Sequence, residues 1–219
     1  MKKIIIFGTS GFAEVAYFYL THDSDYEVVA FTSHKKFLDK NEMFGLPVVP
    51  FEELENFFNP NDFGMFVAVV YTNLNKTREK IFYQVKDKGY ELISYINSKA
   101  TVWGDTKIGV NCFILENVVI QPFVSIGDNV IIWSGNHIGH HTKISDHCFI
   151  TSHVVISGNV EINSHCFLGV NSTIRDGVKI APECIIGAGS VILHDTKPKQ
   201  VFTTKGTILL PKTSDEINL

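Results

Sequence analysis

From Ala100 to Asp195 an aliphatic residue recurs at every sixth position with no insertion, starting at Val102 and Ile108 and ending at Ile186 and Ile192. All sixteen of these positions are Ile, Leu or Val. A short period held this long is the pattern of a solenoid, in which each unit buries one side chain and then turns. Six residues are too few for a helical repeat, but they supply one short strand and one corner. Three units then close a triangular coil, which predicts an all-β domain of stacked parallel strands. The cysteines agree with three units per coil. Cys112, Cys148, Cys166 and Cys184 all open their hexads at separations of 36, 18 and 18 residues, so they fall in one column.

The residues before the repeat follow a different pattern. Lys3 to Phe7 is a continuous apolar run ending in Gly8-Thr9-Ser10-Gly11. Phe12 to Leu20 then carries apolar residues at helical spacing, and Glu27 to Phe31 reads as a second buried strand. Pro47 to Pro50 predicts a short strand, Phe51 to Phe58 a short helix, Gly64 to Tyr71 a strand and Leu74 to Lys88 an amphipathic helix. Tyr90 to Ile96 is expected to close a small parallel sheet. The chain thus divides into an α/β domain over residues 1–96 and an all-β domain with a C-terminal tail over residues 97–219.

Composition narrows the partners. The chain has 219 residues, 45 % of them hydrophobic, and a net charge of −4, which offers no basic field for nucleic acid. No apolar run is long enough for a secretory signal or a membrane span, so a cytoplasmic protein without membrane insertion is expected. In that compartment a column of cysteines is read as small buried residues rather than as disulfides or metal ligands.

Two features carry candidate chemistry. The Gly8-Thr9-Ser10-Gly11 turn between a strand and a helix suits a phosphate held on helix N-terminal amides. The two glycines equally suit a tight turn with no ligand, and both readings stay open. The full dinucleotide fingerprint is absent: no third glycine follows, and Thr32-Ser33-His34 stands where an acidic residue would hold a ribose. A hydride-transfer enzyme is therefore not expected. The second feature is Asn136-His137-Ile138-Gly139-His140-His141, the richest part of a histidine cluster. His140 and His141 sit at the corner after Ile138, where a solenoid exposes side chains and an imidazole can act as a general base. His141, His147, His153 and His165 all end their hexads, however, where Asn and Gly recur as turn formers. No carboxylate or cysteine completes a recognisable ligand spacing, so no metal is expected.

With Gly8-Thr9-Ser10-Gly11-Phe12-Ala13 at the start and Gly139-His140-His141-Thr142-Lys143-Ile144 inside the repeat, the chain resembles the left-handed β-helix sugar acyltransferases. It is most similar to the branch with the bacillosamine and perosamine N-acetyltransferases and the sialic acid O-acetyltransferases. The resemblance implies a Rossmann-like domain that binds a nucleotide-linked amino sugar, followed by a left-handed parallel β-helix. It also implies a homotrimer that uses acetyl-CoA as cosubstrate in bacterial surface glycan (lipopolysaccharide) biosynthesis. His140 falls on the family's catalytic base, with His141 in place of the acidic residue that usually follows it. Gly158, Gly169, Asn171, Gly187 and Ala188 fall on the coils that admit pantetheine, and Lys205, within Thr203-Thr204-Lys205-Gly206-Thr207, is a candidate for the CoA phosphates. Gly8, Ser10, Gly11, Lys35 and Lys36 are the candidates around the nucleotide, and Asn136 is the candidate beside the acceptor. Phe149 replaces a family histidine that contacts the thioester. The competing readings are an O-acetyltransferase, a non-catalytic nucleotide-binding scaffold and a β-helical zinc hydratase.

Overall fold

The computed structural model describes residues 1–206, 211, 213 and 215; Thr207 and most of the C-terminal tail lie outside the described residues. The first domain contains β1 (Lys2–Phe7), α1 (Gly11–His22), β2 (Tyr26–Ser33), β3 (Glu42–Met43), β4 (Leu46–Pro50), β5 (Gly64–Val67), α2 (Lys76–Asp87) and β6 (Glu91–Leu92). Its sheet runs β3-β4-β2-β1-β5-β6, parallel apart from the β3-β4 hairpin. Ile4 and Ile6 pack with Ala13, Ala16 and Leu20 of α1, while Ile5 faces Phe82 and Val85 of α2. Covered on both faces, β1 therefore reads as an unbroken apolar run.

Four boundaries differ from the sequence expectation, each with a local cause. Phe51–Asn56 winds as a 3-10 turn rather than a longer helix, with Glu52 and Glu53 reaching back to His34 and Lys35. β5 stops at Val67, because the carbonyls of Val67 and Val69 are both taken by the Arg78 guanidinium. α2 starts at Lys76 because Asn73, Leu74 and Asn75 adopt left-handed backbone, with φ of 54°, 50° and 63°. The Tyr90–Ile96 segment splits. Glu91–Leu92 pairs with β5, whereas β7 (Tyr95–Ile96) pairs with Phe113–Ile114 and forms the first rung of the solenoid.

The sixteen hexads each give one two-residue strand, from β8 (Thr101–Val102) to β23 (Val191–Ile192), and β24 (Val201–Phe202) closes the stack. Rungs pair in register at intervals of eighteen residues, for example Ile120 with Ile138 and Ile138 with Ile156. The coil is a triangular prism with a dry interior of Ile, Val and Cys. All four cysteines are free and buried there, and burial pushes the Cys112 thiol up to about 11.

The last position of the hexad turns the corner. Asn111, Asn129, His141, His147, Asn159, His165 and Asn171 all have φ between 56° and 62°. Left-handed backbone favours Asn and His among non-glycine residues, which accounts for their recurrence there.

The three outer faces differ in character. One carries Phe113, Ile131 and Phe149 and is buried beneath the first domain. A second carries Val119, His137, Val155, Thr173 and Val191, and its valines are 37 %, 42 % and 61 % exposed. The third carries Lys107, Ser125, Lys143, Glu161 and Lys179.

The two domains meet along a polar seam. Arg78 is fully buried and donates to the carbonyls of Val67, Val69 and Asn111. Asn75 donates to the His147 carbonyl, and Lys76 pairs with Glu183 at 2.6 Å.

Candidate active site

A cleft of about 230 Å³ opens at the carboxyl ends of β1, β2 and β5 and is lined by Gly8, Thr9, Ser10, Ser33, His34 and Val70, among others. The strand order reverses about β1, which is where open α/β sheets bind ligands. The two glycines of the opening turn differ. Gly8 has φ +136°, and a Cβ there would stand 2.5 Å from the Ala68 carbonyl oxygen, so the turn itself requires glycine. Gly11 has nothing within 4 Å of its would-be Cβ and an ordinary backbone, so packing does not explain it. Ser10 makes no side-chain cap to α1, and its hydroxyl remains available at the cleft. Lys35 lies outside the cleft, bound to Glu53 at 3.1 Å. Lys36 lines an adjoining groove of about 360 Å³ with Lys76, Lys80 and Thr77.

The histidine corner lies between the valine face and the charged face. His140 and His141 are both exposed, and their Nδ1 atoms are 3.1 Å apart, so one ring donates to the other. Phe123, one coil below, packs its ring 4.7 Å from that of His141. The His140 backbone N–H donates to Gln121 Oε1 at 2.9 Å. Directly above His140 is Gly158, where an added Cβ would meet His140 Cε1 at 2.6 Å, Nε2 at 2.8 Å and Asp176 Oδ1 at 2.9 Å. The glycine therefore makes room for the imidazole to lie over the next rung, facing a carboxylate two rungs up. Among the described residues the Gly158 N–H donates to nothing.

The remaining candidates occupy other places. Gly169, Asn171, Gly187 and Ala188 line the corner at the opposite edge of the valine face, with Lys205 exposed above them. Close rung-to-rung approach explains two of these: a Cβ on Gly169 would lie 2.6 Å from Ala188 N, and one on Gly187 would lie 2.7 Å from the Phe202 carbonyl oxygen. Within one chain, then, the glycine corner and the histidine corner do not meet. Asn136 is a correction. It points into the prism, donates to the carbonyls of Trp133 and Thr151 and accepts from Val154 N, leaving no polar atom for an acceptor. Phe149 is covered by Tyr71, with ring centroids 4.8 Å apart. The Gly158 gap and Asp176 were missed as a pair. Their signal was in the sequence all the same, since both share the His140 column at intervals of eighteen residues.

A second cluster brings Glu79, His147 and His165 together, with ligand atoms within 4.8 Å of one another. A hydrogen-bond relay fixes its protons. Val67 N–H donates to Asn111 Oδ1, Asn111 Nδ2 to Asn129 Oδ1, and Asn129 Nδ2 to His147 Nδ1. His147 must then carry its hydrogen on Nε2, which faces Glu79 at 3.4 Å. A nitrogen that holds a proton donates a hydrogen bond rather than a lone pair to a metal. Burial lowers the His147 pKa below its usual range.

Residues 3–85 match the PglD N-terminal domain, and residues 105–140, 123–158 and 159–194 match the bacterial transferase hexapeptide (six repeats). No curated protein matches the chain. The structure is similar to that of PerB from Caulobacter crescentus in complex with CoA and GDP-perosamine, with a TM-score of 0.78 and 25 % identity over 91 % of this chain and 92 % of that one. The acetyltransferase domain of PglB from Neisseria gonorrhoeae FA1090 gives a TM-score of 0.79 at 24 % identity, covering 92 % and 96 % of the two chains. WeeI from Acinetobacter baumannii AYE gives 0.75 at 18 % identity, covering 89 % and 92 %. The repeat is that of the bacterial hexapeptide transferases, which makes the protein an acyltransferase of the hexapeptide type. With a PglD N-terminal domain preceding that repeat, the chain has the fold and the domain order of the left-handed β-helix sugar acyltransferases.

Proposed function

We propose that the protein transfers the acetyl group of acetyl-CoA to the amine of a nucleotide-linked sugar, with His140 as general base. The observation that carries this reading is the His140 imidazole, exposed at the corner and seated over Gly158 with Nδ1 against His141 and Nε2 on the Gly158 side. When Nδ1–H of His140 donates to His141 Nδ1, Nε2 is left with the lone pair. It takes the proton that bond formation makes acidic and passes it to the departing thiolate. The partnerless Gly158 N–H stands beside the imidazole and is the candidate donor to the developing oxyanion. His141 orients the ring, the role an acidic neighbour fills in relatives. No metal takes part in this step.

Gly8, Ser10 and Gly11 hold the nucleotide phosphates at the start of α1, and Lys36 reaches them from the adjoining groove. The substrate class is supported by the PglD N-terminal domain and by the similarity to PerB, whose structure contains CoA and GDP-perosamine.

The assembly is a homotrimer. The histidine corner and the corner with Gly169, Asn171, Gly187, Ala188 and Lys205 lie at opposite edges of the valine face, so a CoA that touches both needs two chains. Exposed Val119, Val155 and Val191 supply an apolar surface for that contact. Among the described residues no helix is long and apolar enough to cross a membrane. The reaction is placed in the cytoplasm, where acetyl-CoA and nucleotide sugars for surface glycans are made.

The test is thiol release from acetyl-CoA against UDP-, dTDP- and GDP-linked sugars bearing an amine or only hydroxyls, with light scattering to count subunits. Acceptor-dependent release by a trimer is expected. Silence across the panel, or full activity from a monomer, counts against the proposal.

A further inference from the structure

His140 and Asp176 approach Gly158 together, and three of their atoms crowd the point that a Cβ there would take. His140 Nε2 lies 2.8 Å from it, His140 Cε1 2.6 Å and Asp176 Oδ1 2.9 Å. Two of the three are hydrogen-bond acceptors once His140 Nδ1–H is committed to His141. Asp176 has no cationic partner: among the described residues no Lys, Arg or His lies within salt-bridge distance of it, and its Oδ1 receives only a long hydrogen bond of 3.4 Å from Asn159 Nδ2. Neither does Asp176 bond to His140 itself. Two acceptors beside one glycine at an exposed corner, each within 3 Å of one point and not bonded to each other, fit a ligand group with at least two hydrogens on a single atom.

We infer that Asp176 and His140 together form the seat of the acceptor nitrogen, and that Asp176 makes the enzyme prefer an amine to a hydroxyl. This rests on the proposed acetyl transfer. A sugar amine gives one N–H to His140 Nε2 and a second to Asp176. A hydroxyl has one hydrogen, so seating it leaves the carboxylate facing oxygen lone pairs, which is repulsive. In the reaction the amine nitrogen bonds to the thioester carbon, its proton passes to Nε2, and the C–S bond breaks as the thiolate takes that proton. Asp176 keeps its hydrogen bond to the nitrogen throughout. It touches the substrate nitrogen and exchanges no proton. The device is particular to this corner because the glycine between the two side chains is what lets them face one spot. With any Cβ at position 158 the imidazole would be displaced.

The experiment compares Asp176→Asn with the unmodified trimer on UDP-, dTDP- and GDP-linked amino sugars, each beside its hydroxyl counterpart. Asn keeps the shape and an oxygen for Asn159, so the exposed corner folds as before; a matching melting temperature checks this. The expected result is a KM for the amine acceptor raised roughly 10- to 100-fold, the loss of one charge-assisted hydrogen bond. KM for acetyl-CoA stays unchanged, and the amine-to-hydroxyl preference in kcat/KM falls by a similar factor. Asp176→Glu restores part of it. An unchanged preference in Asp176→Asn overturns the seat while leaving acetyl transfer intact. An unmodified enzyme that acetylates no acceptor overturns the transfer reading and this inference with it.

Discussion

The imidazole of His140 occupies the space that a side chain at Gly158 would need, with Cε1 2.6 Å from the would-be Cβ. Glycine at this corner is therefore a condition for the position of the His140 ring, although Gly158 has no left-handed backbone of its own to demand it. Gly158→Ala is expected to fold, since an alanine suits this backbone, and to push the ring outward. A displacement of about an ångström lowers turnover roughly 10²-fold. Steady-state kinetics beside a thermal melt check this, and an Ala variant with normal kcat would mean that the ring position does not matter.

His140 and His141 separate chemistry from turn formation. His140→Ala removes the proposed base and is expected to lower turnover by roughly 10² to 10⁴. His141 has φ 59° and forms the corner as well as holding the His140 ring. His141→Asn keeps the left-handed preference, as Asn111, Asn129 and Asn159 do in the same position, so stability holds while kcat falls about 10-fold or more. His141→Ala adds a backbone cost of about 1 kcal/mol. If the Asn and Ala variants melt together, the turn argument fails.

The solenoid was legible because one physical constraint repeats: each hexad buries one aliphatic side chain and turns once, and the period survives every substitution on the outer faces. The cysteine column, the strand register and the turn role of His147, His153 and His165 follow from that arithmetic. The βαβ opening was legible for the same reason, as buried parallel strands are apolar throughout. Asn136 was misread because its neighbours are chemical. Its place at the head of the hexad, shared with the cysteines, was the better guide to an inward side chain. Tyr95–Ile96 also keeps the hexad phase one unit before Val102, yet its apolar character suits a sheet strand equally well. The seam of Arg78, Glu79 and Asn75 was not readable, because it depends on where α2 docks rather than on any local period. The link from His140 to Asp176 crosses two coils and becomes visible only when the column is drawn.

The seam predicts an acid limit to stability. Burial lowers the His147 pKa below its ordinary value of 6.5, an effect opposed by Glu79. The unfolded chain therefore binds a proton more readily at this site than the folded one does. Stability from the neutral ring is fully present above about pH 6.5 and is lost as pH falls from there toward the depressed folded value. His147→Asn keeps the left-handed turn and removes the titration, so its melting temperature is expected to fall less steeply between pH 6.5 and pH 5. Parallel curves for the two proteins would assign the acid sensitivity elsewhere.

Arg78 tests the docking of the two domains most directly. Among the described residues it is a buried cation with no carboxylate partner; three backbone carbonyls receive it, those of Val67 and Val69 at and just past the end of β5 and one from Asn111 on the solenoid, and it lies over the Phe66 ring. Burial pushes its pKa down to about 9, which still leaves it charged at neutral pH. Arg78→Met retains much of the apolar stem but strands those carbonyls in a dry seam, where each unsatisfied group costs about 1–3 kcal/mol. Partial rehydration reduces the total, and a loss of about 2–4 kcal/mol is expected. Arg78→Lys carries the charge on a single nitrogen that cannot span all three acceptors, so it recovers only part of the loss. Urea unfolding measures both. A Met variant as stable as the unmodified protein would mean that the domains are held by the apolar contact between Phe66, Phe113 and Tyr95 alone, and that the guanidinium contributes nothing beyond filling space.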